Sequence, residues 1–160
     1  MSKSVRFDDV RYAVLGMFRE TVEKVGDIYL EPEASLLETL ATISAETASI
    51  PVGANCATLA AQVEHVRYYM EVMERYIVGE EPENVDWRHV WDTVSTVTPQ
   101  EWDESRARLK ACYDRIVQHV IAMKDWEHGS SLIAFMIVVV HTAYHLGNIR
   151  QSLCTLEAQS

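Results

Sequence analysis

The sequence contains few residues that break or cross-link a chain. Among 160 residues there are 6 glycines, 4 prolines and 3 cysteines. The cysteines lie far apart and form no C-x-x-C pair, so neither a disulfide framework nor a cysteine zinc site is indicated. We find no repeat, low-complexity tract or domain boundary, and we expect residues 1–160 to form a single domain.

Basic residues are also scarce. There are 14 Lys and Arg against 24 Asp and Glu, a formal net charge of −10. Nucleic acids and anionic membrane surfaces bind clustered Lys and Arg, so we expect neither as a partner. The most apolar run, Leu132 to Val140, has nine residues, whereas a membrane span needs about 20. No signal peptide is visible at the start of the chain, and we expect a soluble, cytoplasmic protein.

The familiar catalytic signatures are missing. The sequence contains no G-x-S-x-G, no P-loop and no G-x-G-x-x-G. The acidic residues Glu80, Glu81 and Glu83 lack EF-hand spacing, which favours a solvated loop over a calcium site. Catalytic residues therefore stay unknown at this point.

Apolar residues recur at helical spacing in four long stretches. We expect the first half of the fourth helix, which is apolar on every side, to be buried by neighbours all round. Four helix starts have capping signals: Ser35 with Glu38, Asn55, Thr98 followed by Pro99 and Glu101, and Ser130 or Ser131 after Gly129. The predicted long helices are Asp9–Val25, Cys56–Val78, one that begins after Thr98, and one between Gly129 and Leu156, with a shorter helix at Ala34–Ser44.

These elements predict an all-α, four-helix bundle plus a short extra helix. Nearly 20 residues separate the second and third long helices, with a helical turn expected around Trp87–Thr93. Such a length is too great for a tight hairpin. It favours a long crossover that leaves those two helices parallel, in an up-down-down-up order.

Two histidines in the fourth long helix indicate a metal site. His141 and His145 are four residues apart, so their side chains share one helix face and can grip one ion. Chance alone would give such a pair roughly one time in five, which is the false-positive risk of short motifs. A histidine buried without a partner costs about 1–3 kcal/mol. The alternative is a pair of core histidines bonded to Tyr, Glu or the backbone.

A third ligand has to come from another helix, and His65 lies at a suitable depth. It stands about 20 Å from the end of the second long helix, and His141 and His145 about 15 and 21 Å from the start of the fourth. An antiparallel arrangement puts the three at one level, although a parallel one also roughly matches. The remaining histidines, His89, His119 and His128, lie in polar stretches and are expected at the surface.

The segment from His141 to Gln151 resembles the C-terminal motif of the DinB-like family, also called the YfiT-like metal-dependent hydrolases, whose pattern is H-x-x-x-H-x-G-Q-I-R. The stretch Leu59 to Gly79, with His65, is similar to the second-helix ligand segment of that family. Ser35 to Leu37, the Pro51/Gly53 break and Trp102 also follow the family's order. The resemblance covers about Val10 to Leu153. One departure is Asn148, where the family commonly has Gln.

The resemblance implies an often dimeric four-helix bundle that holds zinc or nickel on His65, His141 and His145. It also implies a transferase that uses a low-molecular-weight thiol, or a hydrolase, as fold-level analogies. Three neutral imidazoles leave open positions for water or substrate. Each is expected to donate its other N–H to a nearby Glu, Gln or Tyr.

Two further residues are candidates for the substrate pocket. Tyr69 is four residues after His65 and shares its face, with a packing role as the alternative. Arg150 is a basic residue near the motif that can receive an anionic substrate, with a surface salt bridge as the alternative. Two other functions stay open: a non-catalytic or stress-associated protein whose metal ion holds the helices together, and a helical interaction module with histidines in its core.

Overall fold

The computed structural model describes residues 5–24, 26–126 and 129–158, and this part of the chain is all-α, with helices and no strands. The all-α class predicted from the sequence is confirmed. Four helices are long and three are short. They are α1 (Phe7–Val22), α2 (Leu36–Ala41), α3 (Ala45–Ala48), α4 (Leu59–Ile77), α5 (His89–Thr93), α6 (Pro99–Ala122) and α7 (Gly129–Glu157).

Two of the predicted helix starts are present as capping boxes. The Ser35 hydroxyl accepts the Glu38 N–H at the start of α2, and Thr98 accepts the Glu101 N–H at the start of α6. In each box the glutamate side chain reaches back to the backbone of the capping residue. Each box thereby satisfies helix N–H groups that have no partner within the helix.

Other predicted boundaries differ from the structure. The cap expected at Asn55 is wrong, because Cys56 N–H bonds to Gly53 in a turn and Thr58 caps α4 by accepting the Ala61 N–H. The cap expected at Ser130 or Ser131 is also wrong, since α7 already begins at Gly129. The helical turn predicted around Trp87–Thr93 is confirmed, since α5 spans His89–Thr93.

The core forms around α4, which packs most extensively on α7 and then on α6. Aromatic rings connect α1 to the same core: the Phe18 ring lies 5.1 Å from Tyr113 of α6 and 5.8 Å from Phe135 of α7. Trp102 is buried, and its indole N–H donates to the Ile43 carbonyl at 2.8 Å. Together with the buried residues of α4, these side chains form one core, and α4 and α7 contain the predicted metal ligands.

Polar contacts between α4 and α6 advance in the same direction along both helices. Near the start of α4, the Glu64 carboxylate accepts hydrogen bonds from Ser105 at 2.6 Å and Arg108 at 2.8 Å. Further along, Glu74 accepts from Arg115 at 2.7 Å and meets His119 at 3.2 Å. Early residues of α4 therefore contact early residues of α6, and later residues contact later ones.

The first half of α7 is not buried on all sides, contrary to the expectation from its apolar sequence. Ala134, Phe135 and Val138 face the core, whereas Ile133 and Val140 are 59% and 69% exposed. One face packs on α4 and α1, and the described helices leave the opposite face exposed. By length and composition alone the Ser130–Glu157 part can cross a membrane, a test that core helices of globular proteins also pass.

Candidate metal centre

The three predicted histidines lie together where α4 and α7 face each other. His65 is in the first half of α4, and His141 and His145 occupy successive turns of α7. His65 and His145 are buried, at 7% and 6% exposure, and His141 is half-buried. Because α4 and α7 pack against each other along their length, side chains on the facing sides meet in the interior.

The ring nitrogens are close enough to share one ion. The Nε2 atoms of His65 and His141 are 3.1 Å apart, and one nitrogen from each of the three rings lies within 4.8 Å of the other two. Two nitrogens bound to one tetrahedral zinc lie roughly 3.3 Å apart, given Zn–N bonds of about 2.0–2.1 Å. His65, His141 and His145 can therefore hold a metal ion.

The surroundings keep these imidazoles neutral. Burial, together with the neighbouring His145 and His65, lowers the pKa of His141 from 6.5 to about 3. Burial and the proximity of His65 lower the pKa of His145 to about 4. Burial also lowers the pKa of His65. A neutral imidazole has a free lone pair on one nitrogen, which is the form that binds metal ions.

The expected hydrogen bonds behind the ligands are missing at two of the three histidines. The Nδ1 atoms of His65 and His145 are buried, and neither has a partner in the described part of the chain. Ligand histidines ordinarily donate this N–H to a carboxylate, carbonyl or water. Glu64, the residue next to His65, is turned instead towards Arg67, Ser105 and Arg108.

Aromatic rings pack against the histidines in place of hydrogen-bond partners. Trp91 stacks on His65, with ring centroids 4.3 Å apart and planes inclined by 30°. Tyr69 stacks on His141 at 3.6 Å and 13°. The edge of Tyr144 meets His145 at 5.0 Å. Trp91 and Tyr144 were not identified from the sequence, although Trp91 belongs to a pair with Trp87 at helical spacing in the polar connection.

Tyr69 and Arg150, the two candidate pocket residues, lie in different cavities. Tyr69 stacks on His141 and also lines a groove beside it, so the packing and lining roles coincide. Arg150 hydrogen-bonds to the Thr39 hydroxyl at 3.3 Å and lines a separate cavity together with Glu33, Glu38 and Glu157. The structure therefore does not bring Arg150 into the groove of the histidine centre.

The other histidines do not join the centre. His89 is exposed at the start of α5. His119 is half-buried on α6, where its Nε2 lies 3.2 Å from Glu74. His128 lies outside the described residues. The surface position expected for His89 agrees with the structure, and His119 is partly covered by its contact with α4.

A groove of about 620 Å³ lies beside the centre, and His141 and Tyr69 are among the residues that line it. A ligand in this groove therefore contacts His141. No family model, curated protein or solved structure matches this chain.

Proposed function

We propose that the protein binds one divalent metal ion, zinc or nickel, on His65, His141 and His145, and that the ion serves a reaction on a small molecule. The supporting observation is the convergence of three ring nitrogens within 4.8 Å of one another beside an open groove. Imidazole ligands suit both metals. Three protein ligands with space beside them are typical of catalytic rather than closed structural sites.

The reaction proposed is transfer to or from a low-molecular-weight thiol, or hydrolysis. When bound, a divalent ion supplies Lewis acidity for a carbonyl, water or thiol. The chain contributes neutral ligands, so the ion keeps its full positive charge for whatever binds beside it. Packing of Trp91 and Tyr69 shields two of the rings from water, which strengthens electrostatic interactions at the site.

We further propose the finer architecture that the sequence predicts. The ordered contacts of Glu64 and Glu74 with α6 support parallel α4 and α6, joined by a crossover through residues 78–98. His65 contacts both His141 and His145, while Tyr69, one turn later, stacks on the earlier His141, which supports antiparallel α4 and α7. Together these contacts favour an up-down-down-up bundle of the DinB-like kind, with a homodimer and a cytoplasmic location as further proposals.

A second candidate is a structural, non-catalytic ion. The three ligands come from two helices that are distant in sequence, so an ion bound there connects α4 to α7. An ion that binds only the folded state raises its stability. The two candidates differ in whether the folded protein depends on the ion.

Metal analysis of the purified full-length protein tests the common part of both proposals. After reconstitution with zinc and removal of excess metal, we expect about one equivalent in the wild type and less than about 0.2 in His141→Ala. His89→Ala, which changes an exposed histidine outside the centre, is expected to keep the full equivalent. Less than about 0.2 equivalents in the wild type would contradict metal binding.

Thermal unfolding separates the catalytic from the structural role. If the ion serves a reaction, we expect the zinc-free wild type and His141→Ala to keep the helical far-UV spectrum and a cooperative unfolding transition, at a lower melting temperature because a bound ion stabilises the folded state. Loss of the helical spectrum or of the cooperative transition on zinc removal would support the structural ion instead. A thiol-transfer assay with an electrophilic acceptor, run with and without chelator, then measures the proposed activity directly.

A further inference from the structure

The exposed face of α7 forms an apolar surface that continues to the histidine centre. Ile133, Met136, Ile137, Val140 and Tyr144 recur at helical spacing and are 40–69% exposed. These five residues and the centre's Tyr69 and His141 line the same groove of about 620 Å³. Exposed apolar side chains grouped in this way are unusual on a protein surface and mark a binding site.

Within the described part of the chain, no ionic side chain lines the groove: neither Lys, Arg, Asp nor Glu is among its lining residues. The nearby basic residue Arg150 lies instead in the separate cavity with Glu33 and Glu38. A charged substrate would lose its hydration in the groove without gaining a charged partner, which is costly. An apolar group gains by leaving water there.

The groove also has the dimensions of a small-molecule site. Such sites measure about 300–1,000 Å³ and combine apolar walls with a few polar groups that orient the ligand. Here the polar end is His141, a ligand of the proposed ion, and the apolar wall extends about 12 Å along α7 from His141 to Ile133. A molecule in the groove is therefore anchored at one end and surrounded by apolar side chains along its length.

We propose that the substrate of this centre is an uncharged, largely apolar organic molecule whose oxygen or sulfur binds the ion while its apolar body lies along α7. This inference rests on the proposed metal-dependent function. The proposed occupant of the groove is a small molecule because the groove contains His141. A macromolecule seated there would cover the open side of the centre.

A series of alkyl hydroxamates tests the substrate class. Aceto-, hexano- and decanohydroxamic acid share one metal-chelating head group, which is uncharged in neutral solution and releases its proton to the solvent on binding zinc, and they differ in the length of the apolar chain. On zinc-loaded full-length protein we expect the affinity to rise about fourfold for each methylene that enters the groove. A decanohydroxamate with a terminal carboxylate is expected to lose most of this gain.

A charge at the far end of the groove provides the matched variant. Ile133→Glu lies two helical turns from His141, so we expect the zinc content and the affinity for acetohydroxamate to stay unchanged. The affinity for decanohydroxamate is expected to fall at least tenfold. Ile121→Glu, an exposed position on α6 outside the groove, is the control and is expected to leave all three affinities unchanged.

The outcomes distinguish a failure of the proposed metal site from a failure of the proposed apolar substrate. If no hydroxamate binds more tightly with zinc than with chelator, both the open metal site and this inference are wrong. If acetohydroxamate binds but chain length adds nothing, the inference alone is overturned. It is also overturned if sedimentation shows a zinc-loaded dimer that Ile133→Glu converts to a monomer, because a second copy then covers the groove.

Discussion

Aromatic side chains, rather than hydrogen bonds, restrain the imidazole rings of the histidine centre. His65 and His145 have no partner at Nδ1 among the described residues, whereas Trp91 covers one face of the His65 ring. A stacked pair of rings contributes about 0.5–1.5 kcal/mol beyond its buried area. Trp91 is therefore expected to act as a positioning residue that restricts the His65 ring.

Replacing Trp91 tests this role. In Trp91→Leu we expect the dissociation constant for zinc, measured by competition with a chromophoric chelator, to rise about two- to tenfold, the equivalent of one stacked pair. Trp91→Phe keeps a ring and is expected to retain most of the affinity. Tyr12→Leu, which removes an exposed aromatic ring on α1, is the control and is expected to keep the wild-type affinity. Equal losses in the Leu and Phe variants would argue against stacking.

The lowered pKa values of the histidines predict a pH dependence of the metal-free protein. In the fold, burial lowers the pKa of His141 to about 3 and that of His145 to about 4, while the unfolded chain titrates near 6.5. Below about pH 6.5 the unfolded state thus binds more protons than the folded state. The free energy of unfolding must then fall as the pH falls.

We expect urea titrations in chelator to show this decline between about pH 7 and 5.5. The window excludes Glu64 and Glu101, whose pKa values are lowered from 4.5 by hydrogen bonds from Ser105 and Thr98. In His141→Leu the decline is expected to be smaller than in the wild type. A flat profile in the wild type would contradict the burial of neutral imidazoles.

Residue spacing predicted which three histidines come together but not their aromatic neighbours. His141 and His145 are related by a single helical turn, which the sequence states directly. Trp91 reaches His65 only because the segment after α4 folds back over it. The path of a connection depends on tertiary packing, and periodicity contains no information about it.

Helix starts were predictable where a side chain and the backbone satisfy each other within four residues. The boxes at Ser35 and Thr98 are local, and both form. Asn55 has the right chemistry for a cap, but the chain turns at Gly53 and α4 begins after Thr58. Asn55 and Thr58 are only three residues apart, and the turn at Gly53 determines which of them caps α4. Residue propensities alone do not predict the position of that turn.

The cap of α6 yields a prediction at this scale. Thr98→Ala removes the hydroxyl that accepts the Glu101 N–H, and the free energy of unfolding is expected to fall by about 1 kcal/mol. Since Thr98 is exposed and distant in sequence from the histidines, the zinc content is expected to stay unchanged. Thr96→Ala, at another exposed threonine, serves as the control in the same chemical denaturation. Equal losses in both variants would show that the box contributes nothing.

The exposed face of α7 shows where hydrophobic patterning misleads. An apolar sequence on every side of a helix predicts complete burial, yet Ile133 and Val140 lie largely exposed. The apolar pattern indicates that these side chains favour apolar surroundings. It does not indicate whether the core of the protein or another molecule provides them. An exposed apolar face beside three histidines instead fits a ligand as the missing contact.

At the scale of the whole molecule, the helices matter because they bring distant histidines to one place. His65 and His141 are separated by most of α4, the connection through α5, and α6. The distance of each histidine from its helix end is compatible with both parallel and antiparallel helices. These distances therefore allow the three side chains to come together but do not require it. The packing of α4 on α7 brings the three histidines together, with one ring nitrogen of each within 4.8 Å of the others.

The most direct test is a crystal structure of zinc-reconstituted protein with anomalous data collected at the zinc edge. We predict one anomalous peak between α4 and α7, about 2.0–2.1 Å from a ring nitrogen of His65, His141 and His145, with further density on the side that faces the groove. A peak that lacks any one of the three histidines, or no peak in this region, would contradict the account.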